Sequence, residues 1–133
     1  MRLTRRGEYA CLALIHLARA YHQPPVRMKH IAETSAIPKK YLEQILLQLK
    51  NAGYVASERG PDGGYRLAKA PPEINLAEII RLVDGPLAPV DSVSVYFYEH
   101  TPIEQHPKLH SVFKDIRNYI ADKLENITLQ DLL

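Results

Sequence analysis

The strongest constraint on the fold lies between residues 37 and 69, where a helical pattern is followed at once by two strand-like runs. In IPKKYLEQILLQLKNAGY, four apolar residues recur at three- and four-residue spacing, which predicts a helix with one buried stripe. Pro38 suits its first turn, and Gly53 suits the residue after its last turn. The stripe comprises Leu42, Ile45, Leu46 and Leu49. This helix needs a packing partner on one side only and leaves its other face free.

Two further helices are predicted before this one. The run EYACLALIHLARAY, with Thr4 as N-cap, is apolar on more than one face, and Pro24 and Pro25 follow it. RMKHIAETSA predicts a short helix with Ile31 and Ala32 facing inward, separated from the third helix by a tight turn. Two helices in such close succession, the second with an exposed polar face, form a helix-turn-helix, which offers its second helix to the DNA major groove.

The segment RGPDGG, between YVASE and YRLA, predicts the loop of a β-hairpin. Its glycines permit positive φ, and Pro61 and Asp62 favour a turn. The glycine spacing matches neither GxGxxG nor a P-loop, and a strand rather than a helix follows, which argues against a nucleotide site. A hairpin directly after a recognition helix is a wing. Arg59 and Arg66 at its base are suited to the DNA backbone or to a narrow minor groove.

The charge of the chain is segregated along its length. Its 133 residues, 46% of them hydrophobic, suffice for one ordinary domain or a small domain with an extension, and their net charge is +2. Residues 1–69 hold 12 Lys/Arg against 5 Asp/Glu, whereas residues 70–133 hold 5 against 10. The first half therefore predicts a basic face for a polyanion, and the second half another task.

The C-terminal half predicts a short helix, a loop and a long helix. INLAEIIRLVDGP is apolar at Leu76, Ile79, Ile80 and Val83 and is stopped by Gly85 and Pro86. The next stretch, LAPVDSVSVYFYEHTPIEQHP, carries three prolines and predicts mostly loop. We expect its aromatic run, residues 96–98, to cover a core edge rather than to line a ligand pocket or dock a partner protein.

After Pro107, apolar residues repeat at three and four residues over some five turns. Little else in this half can cover such a helix, so we expect it to pair with a second copy of the chain; packing on its own N-terminal domain is the alternative. The expected dimer interface comprises Leu109, Phe113, Ile116, Ile120 and Leu124.

Four runs, in this order, resemble the Rrf2 family of bacterial transcription regulators: MRLTRRGEYA, IAETSAIPKKYLEQILLQLKNAGYV, RGPDGGYRLA and INLAEIIRLVDGP. The resemblance implies a mainly α fold with a small β-hairpin. A winged helix-turn-helix domain would span residues 1–70, and a linker helix, loop and dimerisation helix residues 71–133. It also implies partly palindromic operators, and it places Lys40, Tyr41 and Glu43 near base edges and Arg59 in the minor groove.

The leading hypothesis is a homodimeric, sequence-specific DNA-binding regulator that acts as a repressor by occupying promoter DNA. The expected base contacts are Lys40, Tyr41, Glu43, Gln44 and Arg59, and the expected phosphate contacts are Arg5, Arg6, Lys39, Arg66 and Lys69. For Arg5 and Arg6, solvated surface is the competing interpretation. The alternative function is a winged-helix module that docks an acidic partner protein. An enzyme is not expected, because no Ser/His/Asp, Cys/His or paired-carboxylate arrangement stands out.

Many Rrf2 proteins hold an iron–sulfur cluster through three cysteines in the loop before the long helix. The only cysteine here is Cys11, in the first helix, which we expect to pack as a small hydrophobe rather than to sense redox state. The candidate ligands in the loop fit no recognised metal site, so we expect neither cluster nor metal. These candidates are Asp91, Glu99, His100, Glu104 and His106. The means of sensing is left open between a small molecule in the dimer interface, a partner protein, a metal ion, oxidation of Cys11 and binding to DNA without any effector.

No apolar run reaches the ~18 residues that cross a bilayer. The N-terminal residues lead into a helical pattern without a signal-peptide cleavage site. We therefore expect a cytoplasmic protein with no membrane partner.

Overall fold

A computed structural model describes all 133 residues as five α-helices and one two-stranded antiparallel sheet. The elements are α1 (Arg5–Arg19), α2 (Met28–Ser35), α3 (Lys39–Asn51), β1 (Val55–Glu58), β2 (Gly64–Leu67), α4 (Leu76–Asp84) and α5 (Pro107–Glu125). Single 3-10 turns occur at Pro71–Glu73, Asp91–Val93, Pro102–Gln105 and Gln130–Leu132. The predicted mainly α fold with one hairpin is confirmed. None of the helices combines the length and the apolar character that a membrane crossing requires.

Helices α2 and α3 form the helix-turn-helix. Ala36 closes α2 in the left-handed conformation, with φ of 52°, and Ile37 in the turn is buried. Pro38 is the N-cap of α3 rather than part of its first turn, because its ψ of 131° is not helical. Gly53 follows the helix with φ of 86°, as expected. The predicted stripe on α3 is confirmed, since its four members are completely buried: Leu42, Ile45, Leu46 and Leu49.

The wing contains one strand-like residue that the sequence pattern does not predict. β1 and β2 pair with Val55 opposite Leu67, and the residue before Arg27, Val26, forms an isolated bridge to Tyr65 on the far edge of β2. The Tyr65 N–H donates to the Val26 carbonyl at 2.7 Å, and the Val26 N–H donates in return at 2.8 Å. A Cβ on Gly64 would lie 2.5 Å from the Val26 carbonyl oxygen, so only glycine permits this approach. Val26 thereby joins the start of the helix-turn-helix to the wing.

The main hydrophobic core is shared by both halves of the chain. Ile74, Ile79 and Leu129 lie in the same buried cluster as the residues of α1 and α3. The chain end is held there by backbone hydrogen bonds, from Leu76 N–H to the Ile127 carbonyl and from Leu129 N–H to the Ile74 carbonyl, both 2.9 Å long. Residues on both sides of position 70 therefore contribute to one core.

The segment between α4 and α5 is only partly packed. Its first half contributes buried residues such as Leu87 and Val93, but Tyr96, Phe97 and Tyr98 are all exposed. The expectation that these aromatics cover a core edge is wrong for the single chain. Tyr96 instead stacks under the Arg81 guanidinium, 4.8 Å from its ring centroid.

Candidate nucleic-acid interface

The outward face of α3 carries the predicted base-reading side chains on its first two turns. Lys40, Tyr41, Glu43 and Gln44 are exposed on the side opposite the buried stripe. Lys40, Tyr41 and Gln44 together line one shallow surface depression. Lys39, a predicted phosphate contact, is exposed at the start of the same helix. The 3.6-residue period of the helix brings these side chains together on one face, because the four residues of the apolar stripe occupy the inward face.

Two residues of α1 hold two of these side chains in place. Tyr9 packs beside Tyr41 with ring centroids 5.4 Å apart. Arg6 Nη1 donates to Gln44 Oε1 at 3.1 Å, and its Nη2 donates to Gln48 Oε1 at 2.9 Å. The structure therefore brings Arg6 and Gln44, predicted to contact phosphate and base respectively, into direct contact. The sequence offered no signal for this pairing, because it joins residues 38 positions apart.

The start of α1 leaves its other arginine accessible. The Arg5 side chain is 70% exposed and makes only a long ion pair, 3.7 Å, with Glu8. An exposed pair of this kind contributes little to stability and can be exchanged for a phosphate at small cost. Arg5 thus remains available for the phosphate contact that the sequence predicts.

The tip of the wing is tied to the helix-turn-helix through Arg27. The Arg27 guanidinium donates to the carbonyl of Pro61 in the wing loop, while Arg59 at the start of that loop remains exposed. The sequence pattern gives no indication of this role for Arg27. Its position beside the bridge residue Val26 gives it this reach, and only the tertiary structure brings the two segments together.

The two basic residues at the base of the wing already have partners within the chain. Arg66 Nη2 lies 3.0 Å from Glu58 Oε1 on the neighbouring strand, in a pair that is largely exposed. Lys69 Nζ lies over the Tyr54 ring, 4.7 Å from its centroid. Tyr54 donates to Glu78 at 3.1 Å, and burial together with this carboxylate raises the pKa of Tyr54 to about 12. Both cations are therefore held in position near the wing, and their pairings are weak enough to be exchanged for a phosphate.

The loop before α5 has side chains that bind one another. Glu104 accepts from Tyr98 at 2.7 Å and also pairs with His100; the Tyr98 hydrogen bond is the main cause that lowers the pKa of Glu104. The His106 ring accepts from the Leu109 N–H at 3.1 Å and so caps α5. No group of three or more His, Cys, Asp or Glu side chains in the chain is placed to hold a metal ion.

This donor set does not fit an iron–sulfur cluster, whose irons require thiolate ligands. The one thiol, Cys11, packs beside the small cluster of Ala77, Ile80 and Leu87. Burial, with a smaller effect from Asp84, raises the pKa of Cys11 to about 11, so the thiol stays protonated at neutral pH. The expectation of an inert small hydrophobe agrees with this environment.

Helix α5 presents two different apolar faces. Ile120 and Leu124 pack against Ala77, Ile80 and Leu87 of their own chain, and Phe113 is also partly buried. A neighbouring stripe is exposed and has no partner in the single chain. Its members are Leu109 (42% exposed), Val112 (53%), Ile116 (42%) and Tyr119 (73%).

The predicted dimer interface therefore divides between these two faces. Leu109 and Ile116 belong to the exposed stripe, whereas Phe113, Ile120 and Leu124 face their own chain in part. Val112 and Tyr119 also belong to the exposed stripe but are absent from the predicted interface, although their three-four-three spacing with Leu109 and Ile116 indicates a shared helix face.

Comparison with known proteins gives a consistent family. The model of the Rrf2 family, described as an iron-dependent transcriptional regulator, matches residues 3–133. The HTH-type transcriptional regulator CymR of Bacillus subtilis is 33% identical over 132 residues, which is 99% of this chain and 89% of CymR. The HTH-type transcriptional regulator IscR of Erwinia tasmaniensis is 38% identical over 133 residues, which is 100% of this chain and 79% of IscR.

The solved structures agree with the sequence matches. The structure of CymR, the global cysteine regulator of B. subtilis, superposes with a TM-score of 0.86 at 33% identity, covering 99% of this chain and 95% of CymR. T. potens IscR superposes with a TM-score of 0.77 at 31% identity, covering 99% and 85% of the two chains. The winged-helix fold is thereby confirmed, as is the expectation that the chain is not an enzyme. The chain belongs to the Rrf2 family of DNA-binding transcriptional regulators.

Proposed function

We propose that this protein is a homodimer that binds partly palindromic operators and represses transcription by occupying promoter DNA, without an iron–sulfur cluster. The observation that carries the proposal is the division of α3. One face of α3 is completely buried, and the opposite face presents Lys40, Tyr41, Glu43 and Gln44 to solvent. A helix anchored in this way can enter the major groove without loss of its packing.

The chemistry of these side chains suits base reading. The Lys40 ammonium can donate to the guanine acceptors O6 and N7, and Glu43 can accept from the cytosine amino group. Glu43 also disfavours poses that bring its carboxylate against a phosphate. Arg59, exposed on the wing, suits a narrow minor groove, where the electronegative potential favours arginine.

The proposed phosphate contacts are Arg5 and Lys39 at the starts of α1 and α3, and Arg66 and Lys69 at the base of the wing. All four lie on the half of the chain with excess positive charge. Such contacts set affinity and its salt dependence, but they carry no sequence information. Arg6 is not among them, because its guanidinium already binds Gln44 and Gln48.

The exposed stripe of α5 supports the dimer. Only Ala121 of this 19-residue helix is buried in the single chain. The spacing of the stripe repeats every three and four residues, as in helices that pair along a seam. A two-fold dimer would present two copies of α3 to successive major grooves, so its operator would share the two-fold symmetry. We place Leu109, Val112, Ile116 and Tyr119 at the centre of the interface.

The proposed sensing mechanism does not use an iron–sulfur cluster. The loop before α5 contains no cysteine, and the Cys11 thiol is protonated at neutral pH and packed beside Ala77, Ile80 and Leu87. An effector would therefore be a small molecule or a partner protein that changes the dimer or the wing. Its identity is a separate question from DNA binding.

The deciding experiment combines selection of bound duplexes from a random library with light scattering of the same preparation. We expect a dimer that enriches a partly palindromic motif and that lowers transcription in vitro from a promoter overlapping it. A folded monomer that enriches an asymmetric motif would contradict the dimer. A dimer that raises transcription from that promoter would contradict the repressor role.

A further inference from the structure

We propose that Arg6 is a positioning residue that decides which base Gln44 can read. The inference deepens the proposed function and rests on it, because it takes Gln44 to face the bases. It assigns to Arg6 a task different from the phosphate contact that its charge alone suggests.

The orientation of the Gln44 amide follows from the chemistry of its partner. Arginine carries five N–H donors and no acceptor, so the group that faces Arg6 at 3.1 Å must be the amide oxygen. The same guanidinium binds Gln48 Oε1 one turn further along α3, at 2.9 Å. Two charge-assisted hydrogen bonds from one planar group fix it between the two glutamines.

The other side of this network is anchored in the protein. Gln48 uses its Nε2 to donate to the Leu82 carbonyl of α4 at 3.1 Å. Arg6 itself is the second residue of α1 and is partly buried, unlike its exposed neighbour Arg5. The amide oxygen of Gln44 is therefore drawn toward α1, and the amide nitrogen is the end left free.

A glutamine held in this way can contact bases only through its amide N–H groups, which donate hydrogen bonds. A free glutamine favours adenine, because it accepts from N6 with its oxygen and donates to N7 with its nitrogen. With the oxygen turned toward Arg6, Gln44 loses this two-point contact and favours base edges that present acceptors, namely guanine or the O4 of thymine. Specificity at this position would thus be set by a residue that touches no base.

The test measures base preference rather than affinity alone. The first step uses the operator selected by the wild-type protein. The base pair read by Gln44 is the one at which the Gln44→Ala variant no longer discriminates between bases. Four duplexes that differ only at this pair are then titrated with wild type and Arg6→Met. We expect the affinity for adenine, relative to guanine, to rise by about fivefold or more, the lower range of what one two-point base contact is worth.

Arg5→Met is the matched control, since it removes the same charge from the neighbouring residue but no bond to α3. It should weaken all four duplexes evenly and reduce the salt dependence. In an Arg6→Met/Gln44→Ala double variant the shift toward adenine should vanish. Thermal unfolding checks that each variant folds. If Arg6→Met does not fold, Arg6→Lys keeps the charge without the two-nitrogen fork and should shift preference in the same direction.

The outcomes separate the inference from the function. An even loss of affinity in Arg6→Met, matching Arg5→Met, would overturn the inference and leave Arg6 as a phosphate contact. A wild-type protein that selects no duplex would overturn the proposed function itself.

Discussion

Asp84, the last residue of α4, caps the first turn of α1 through Thr4: it accepts from the Thr4 backbone N–H at 3.0 Å and also from the Thr4 hydroxyl. Thr4 in turn accepts from the Gly7 N–H at 3.1 Å. A Cβ on Gly7 would lie 2.2 Å from Asp84 Oδ2, so glycine is needed for this approach. A carboxylate beside the N-terminus of a helix is favoured by the helix dipole. The start of α1 is thereby anchored to the C-terminal half.

Loss of this carboxylate should loosen α1. We expect Asp84→Ala to lower the free energy of unfolding by about 1–2 kcal/mol, the scale of a lost helix cap. Because Arg5 and Arg6 follow Thr4 directly, DNA affinity should fall as well. Urea denaturation measures the first effect. Asp122→Ala, an exposed carboxylate with no side-chain hydrogen bond, is the control; equal stability of the two variants would contradict the anchor.

Removal of the wing arginine should weaken specific binding. We expect Arg59→Ala to cost about 1–3 kcal/mol on the selected operator, as for loss of a good groove contact. Fluorescence anisotropy at fixed salt gives this difference. Lys123→Ala removes the same charge from exposed α5, far along the chain, and should bind as wild type. An Arg59→Ala variant with wild-type affinity would remove the wing from the mechanism.

The two faces of α5 should respond differently to a buried charge. Val112→Asp and Ile116→Asp place a carboxylate in the exposed stripe, so each should weaken the dimer by about 2 kcal/mol or more, the scale of an interface hot spot, with little effect on the fold of the monomer. Ile120→Asp should instead destabilise the chain itself, because Ile120 packs on Ala77 and Ile80. Sedimentation velocity and thermal unfolding separate the two effects.

Asn118→Asp supplies the matched control for the dimer. It adds the same charge at an exposed position on the same helix, outside the apolar stripe. We expect it to remain dimeric. Val112→Asp and Ile116→Asp variants that sediment as the wild-type dimer would place the interface elsewhere.

The Cys11 thiol should react slowly in the folded protein. With its pKa raised to about 11, about one molecule in a thousand carries a thiolate at pH 8, against about a quarter for an ordinary exposed thiol. A disulfide reagent should therefore label native protein at a small fraction of the rate seen in denaturant. Rapid labelling at pH 8 would contradict the packed environment of Cys11.

The raised pKa of Cys11 should make the stability of the fold depend on pH. Burial favours the neutral thiol, so the folded chain keeps its proton at pH values where the unfolded chain has lost it. The free energy of unfolding should fall as the pH rises from about 9 toward 11. This contribution should be absent in Cys11→Ala, and its persistence there would assign it to another group.

The local sequence pattern was enough to predict the helix α3, its buried face and the hairpin that follows it. The 3.6-residue repeat in α3 predicted all four buried residues correctly, because a helix that packs on one side places every third or fourth residue inward. The glycine-rich loop between two strand-like runs correctly predicted the hairpin, and Gly85 the end of α4. These features depend on residues that are close in the sequence, because the backbone conformation of a helix or a turn is set within a few residues.

Tertiary structure alone decided the contacts between distant segments. Val26 lies in no strand-like sequence pattern, yet it pairs with Tyr65. The sequence suggests that Arg6 is an unpaired cation, yet its guanidinium donates a hydrogen bond to Gln44. The two faces of α5 were also decided by tertiary structure. Ile116 and Ile120 belong to the same apolar repeat in the sequence, but only Ile120 packs against residues of α4, and Ile116 is exposed. Such contacts join residues far apart in the chain, and their partners are set by how the helices pack rather than by local periodicity.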